Sequence, residues 1–125
     1  MNNGEEPAYQ YLSNLMKSDN FLQYSDFLKY MMVAYSIIYL TRQTSKYSPQ
    51  RTPELLELYQ FAVDSNTIGL NKFLNLQKYL NVITVACKSK ELNWAIEFAT
   101  EYASKVSKSN EYSIAQIGHA NIDFF

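Results

Sequence analysis

Apolar residues recur at intervals of three and four along most of this chain, the rhythm of helices that bury one side. Tyr11, Leu12, Leu15 and Met16 give the apolar face of a first helix, from about Pro7 to Lys17. Pro7 suits a first turn, and Glu5 and Glu6 sit at the positive end of the helix dipole. Ser18-Asp19-Asn20 supplies cap residues for a second and longest helix, predicted from Asn20 to Gln43. Phe21, Tyr24, Leu28, Met31, Tyr35 and Ile38 fall on one face of it. Phe27, Met32, Ala34, Ile37, Tyr39 and Leu40 widen that face, and Val33 adds apolar surface on the far side. So wide a face predicts burial against more than one neighbour.

The segment Arg42 to Pro53 is the clearest break, with two prolines, three basic residues and no acid. Thr52-Pro53-Glu54 reads as cap, first and second positions of a third helix to Asp64, carrying Leu55, Leu58, Tyr59 and Ala62 on one side. After a polar break at residues 64–69, a fourth helix is predicted from Leu70 to Lys88. Its apolar rhythm is Phe73, Leu76, Leu80, Ile83 and Cys87. Ser89 is the expected cap of a fifth helix from Lys90 to Val106. There Ala95, Ala99 and Ala103 form a row of small side chains that lets another helix approach closely. A sixth helix begins near Glu111 and carries Ile114, Ala115, Ile117, Gly118 and Ile122, ahead of Phe124-Phe125.

Residues 71–125 resemble tetratricopeptide-like helical repeat proteins, most of all a diverged type found in Bacteroidetes. The elements that carry the resemblance are Tyr79-Leu80-Asn81-Val82 with Ile83, then Leu92-Asn93-Trp94-Ala95, then Phe98 and Tyr102. The resemblance implies a superhelical scaffold that binds proteins or peptides and has no shared active site. The expected fold is therefore all-α. Antiparallel helix pairs would stack as a short right-handed solenoid, with a closed helical bundle as the alternative that the same periodicity allows. Residues 1–125 are expected as a single all-helical domain, alone or as a piece of a longer helical-repeat protein.

Composition narrows the picture. At 125 residues the chain can bury one real core, and 47% apolar against 18% charged residues argues against disorder. The formal charge of -1 gives no global field for nucleic acid or an anionic membrane, so neither partner is expected. The apolar run Tyr30 to Leu40 is about half a membrane span. The N-terminus lacks the basic-then-apolar order of a signal peptide, and a single cysteine allows no internal disulfide. A cytoplasmic location is expected from these.

Tests for chemistry give little. One His and one Cys, at positions 119 and 87 on separate predicted helices, cannot make a zinc site of the usual kind. Cys87 lies on an apolar rhythm, as a buried inert thiol would, and His119 reads as a core-edge or surface residue. Glu97 and Glu101 share a helix face, as solvated carboxylates beside Lys105. Arg42, Lys46 and Arg51, interleaved with Tyr47, form the one basic cluster that could meet phosphates or acidic peptides. No phosphate-cradling glycine loop is present. No residue is assigned a catalytic, cofactor-binding or metal-binding role.

The expected function is a non-enzymatic protein–protein interaction scaffold that uses no cofactor. Its partner would be a protein or peptide, and a homo-oligomer could form through the apolar C-terminal helix. The alternatives are a regulatory or sensory module of a larger protein and, behind it, a small-ligand binder or enzyme near His119. The eleven tyrosines bear on this choice, because their hydroxyls cannot all be buried without partners.

Overall fold

The computed structural model describes residues 4–69 and 73–125. The all-α expectation is borne out: six α-helices and no strand occur among the described residues. They are α1 (Glu5–Lys17), α2 (Asp26–Arg42), α3 (Thr52–Asp64), α4 (Leu76–Lys88), α5 (Leu92–Val106) and α6 (Glu111–Asp123). The chain divides into two compact units, Met1–Leu70 and Asn71–Phe125.

In the first unit α1 and α3 each pack on α2. The long helix expected from Asn20 to Gln43 is shorter. Residues Asp19–Gln23 form a 3-10 turn, and Tyr24 and Ser25 are extended. The physical reason is a cap. The Ser25 side chain accepts the Leu28 N–H at 3.2 Å, so α2 starts afresh there. Phe21 is buried in the preceding turn, its ring 5.2 Å from that of Phe61 on α3. The far end of α2 runs into a π-helical turn, Gln43–Tyr47, and a 3-10 turn, Pro49–Arg51. Thr52 is not the N-cap of α3. Its hydroxyl donates back to Pro49 O at 2.7 Å.

The larger correction concerns which side of α2 is inside. Met32, Val33, Ser36, Ile37, Tyr39 and Leu40 are buried. The row expected to lead the core faces water instead: Leu28 is 44%, Met31 47%, Tyr35 41% and Ile38 58% exposed. Phe27, beside them, is 60% exposed. Both sides of α2 are apolar enough to be a core, and the three–four rhythm runs along the side that α1 and α3 do not cover. The buried hydroxyl of Ser36 is satisfied by donation to Met32 O at 2.9 Å.

In the second unit α4, α5 and α6 all touch one another. The Leu74 N–H donates to Lys105 O at 3.1 Å, so the start of α4 lies beside the end of α5 and the two run antiparallel. Leu70 to Lys72 lie outside the described residues. From Phe73 to Asn75 the chain is not helical, contrary to the expected start of α4. The Asn75 side chain accepts the Lys78 N–H at 2.7 Å and caps α4. Phe73 is exposed, and the neighbouring Leu74 is buried in its place. Ser89 ends α4 rather than opening α5, and Lys90 takes the left-handed conformation (φ 64°) that carries the chain round between them.

The Ala95-Ala99-Ala103 row is fully buried, as its spacing predicts. Trp94, Phe98 and Tyr102 stack alongside it, with centroids 5.4 Å and 4.8 Å apart. The tightest point is Gly118 of α6. A Cβ there would lie 2.6 Å from Tyr79 Oη, 3.1 Å from Ala99 Cβ and 3.2 Å from Ile83 Cδ1. Glycine is thus what lets α6 close on α4 and α5 together. The Tyr79 hydroxyl, fully enclosed, donates to Ala99 O at 2.6 Å, and burial raises its pKa to about 12. Gly118→Ala is therefore expected to destabilise the second unit by about 1–2 kcal/mol, overpacking outweighing the gain in helix propensity. Tyr79→Phe removes the atom that the new methyl would strike. The double variant should lose less than the sum of the two single losses in chemical denaturation.

Candidate functional site

The densest polar cluster belongs to the first unit and centres on Arg51. Its guanidinium forks onto Glu54, Nε to Oε1 at 2.8 Å and Nη2 to Oε2 at 2.9 Å, while Nη1 reaches Glu6 Oε1 at 2.8 Å. Tyr9 Oη donates to Glu54 Oε2 at 2.5 Å, and Tyr39 Oη donates to Glu6 Oε1. The two tyrosine rings stack at 5.1 Å. The guanidinium carbon lies 5.5 Å from the centroid of Tyr9 and 5.9 Å from that of Tyr39. One cation thus holds together α1, α2 and the start of α3.

The electrostatics follow from this geometry. The Arg51 hydrogen bond draws the Glu6 carboxyl from its ordinary 4.5 down to about 2. The same guanidinium lowers Glu54, and the two carboxylates raise Arg51. Burial, then the hydrogen bond to Glu54, pushes the Tyr9 phenol up, and burial and Glu6 do the same for Tyr39. Every polar group here is matched to another, and the phenols are held in their protonated, unreactive form. The cluster is a clasp in its chemistry, not a set of poised acids and bases.

That outcome changes the reading of the basic loop. Of its three cations, Arg51 is spent on the clasp and Arg42 lies 3.5 Å from Glu5. The partners of the loop are Glu54 and the acids of the first turn of α1, Glu5 and Glu6, whose position in the sequence points only to the helix dipole. Lys46 is exposed.

The other residues weighed for chemistry stay apart. Cys87 is buried, and burial raises its thiol pKa. His119 Nε2 sits 3.1 Å from Thr100 Oγ1 on the outer side of the α5–α6 pair. Glu97 and Glu101 are exposed. Among the described residues no group of three or more His, Cys, Asp or Glu side chains could hold a metal ion, and no helix is long and apolar enough to cross a membrane.

What the first unit does present is the outward stripe of α2, formed by Phe27, Leu28, Met31, Tyr35 and Ile38. Leu28, Met31, Tyr35 and Ile38 keep the 3-4-3 spacing of a helix-pairing seam. Between Phe27 and Thr41 the helix carries one charged residue, Lys29, whose side chain is only 16% exposed and therefore leaves the stripe uncharged. The arrangement suits contact with the apolar face of another helix. Sequence reasoning found these residues but assigned them to the core. Only the identity of the packed face distinguishes the two roles.

No family model, curated protein or solved structure matches this chain.

The clasp makes a pH-dependent contribution with a definite sign. Glu6 binds its proton less readily in the folded chain than in the unfolded one. Its contribution is complete above about pH 4.5 and is lost as the pH falls towards 2. Glu6→Gln should lower stability at pH 7 by on the order of 1 kcal/mol, since solvent screens a half-exposed pair. Thermal melting of the variant between pH 5 and pH 2 should show a shallower acid loss than that of the parent.

Proposed function

We propose that this chain is a non-enzymatic protein–protein interaction scaffold of helical-repeat type. The observation that carries the reading is the exposed α2 stripe: five large apolar side chains, from Phe27 to Ile38, on one side of a helix whose other side is packed. Contiguous apolar surface of this kind marks interaction sites in folded proteins. A helix laid along it would bury anchors at three- and four-residue intervals, the standard helix-to-helix recognition mode.

Three further features support the scaffold reading. The order α4, α5, α6, with each helix touching the other two, supports a helix pair followed by the first helix of a next pair. The tetratricopeptide-like elements Tyr79-Leu80-Asn81-Val82 and Leu92-Asn93-Trp94-Ala95 lie on α4 and at the start of α5. The strongest titratable cluster, at Arg51, is internally paired, which favours a structural over a catalytic role. The partner is a protein or peptide, met in the cytoplasm.

A photo-reactive phenylalanine derivative in place of Tyr35 tests the reading. Irradiation in extract of the native host should give covalent adducts with protein, and Met31→Glu should abolish them. The same probe at Glu101 serves as a control and should give none. Absence of protein adducts at position 35, or adducts indifferent to Met31→Glu, would overturn the assignment.

A further inference from the structure

The outward stripe of α2 has a symmetry that restricts what can lie on it. Leu28, Met31, Tyr35 and Ile38 are spaced 3-4-3, a series that reads the same in both directions about the level of Val33. A second α2 laid antiparallel on the first, related by a twofold axis at that level, sets Leu28 against Ile38 of the other copy. Met31 then meets Tyr35, a thioether on an aromatic ring, and each contact occurs twice.

The charges at the ends are already paired within each chain, Asp26 with Lys29 at 3.5 Å and Arg42 with Glu5 at 3.5 Å, so neither end opposes a copy with unpaired charge. An antiparallel pair opposes the helix dipoles favourably, whereas a parallel pair would align them. The centre of the stripe carries no charge that either arrangement would have to desolvate.

The area is also of the right order. Five side chains, each about half exposed, offer roughly 400–500 Å² per copy, or about 900 Å² in the pair. That stands near the ~1,000 Å² at which specific interfaces begin, and it suits a reversible dimer.

Building on the interaction reading above, we propose that the occupant of this face is a second copy of the chain, joined through α2 in an antiparallel, twofold-symmetric pair. Sedimentation velocity of the purified full chain from about 1 to 500 µM tests the association, with a dissociation constant on the order of 1–100 µM expected. Met31→Glu and Tyr35→Glu should each shift the midpoint at least tenfold to higher concentration with unchanged circular dichroism, because both positions face solvent in the single chain.

Orientation is read by disulfide trapping in a Cys87→Ala background. Leu28→Cys and Ile38→Cys chains of different length, mixed and oxidised, should form the mixed dimer in preference to either like-with-like product. A chain monomeric throughout the range overturns the proposal. So does a dimer that survives both glutamate variants, or trapping dominated by Leu28→Cys with itself. Should the purified chain stay monomeric while the Tyr35 probe still captures another protein, self-pairing falls and the interaction reading stands.

Discussion

A single guanidinium decides how the first unit is assembled. Arg51 comes from the turn before α3, yet both carboxylates it binds are needed to bring three helices together: Glu54 from its own helix and Glu6 from α1. Tyr39 of α2 is drawn in through Glu6, and Tyr9 of α1 through Glu54, so each acid serves both the cation and a phenol. Only Tyr9 and Met16 are fully buried along α1. Apolar burial alone is thus a slender hold on that helix, and the clasp supplies the rest. With α1 and α3 fixed on one side of α2, its other side is left without a neighbour from this unit.

The second unit reaches a similar result by different means. Its closest contacts are steric: an alanine row on α5, and Gly118 where α6 meets Tyr79 and Ile83. A bulky aromatic and a residue without a side chain occupy the same junction because each needs the other's volume. Small-to-large complementarity of this kind fixes the register of helices more sharply than hydrophobicity does.

Much of this was legible in the sequence. The six helices follow from the apolar period, and the bounds of α1 and α3 and the start of α6 fall within two residues of expectation because Pro, acids and Asp mark them. The failures have physical causes. Ser25 and Asn75 act as caps inside stretches whose apolar rhythm runs on past them, so periodicity overrode a one-residue signal. On α2 both faces are apolar, and period alone does not say which is packed. The Arg51 clasp was hidden for another reason. Glu6 lies 45 positions from Arg51 in the sequence, and an acid-free basic loop reads as free charge until its counterions are located.

The stacked ladder of α5 has a practical consequence. Trp94 is the only tryptophan in the chain, and it lies face to face with Phe98 inside the second unit. Intrinsic tryptophan emission is therefore a private signal of Asn71–Phe125. The first unit holds no tryptophan, so emission from Trp94, set against far-ultraviolet circular dichroism of the whole chain, resolves how far the two halves unfold together without any label.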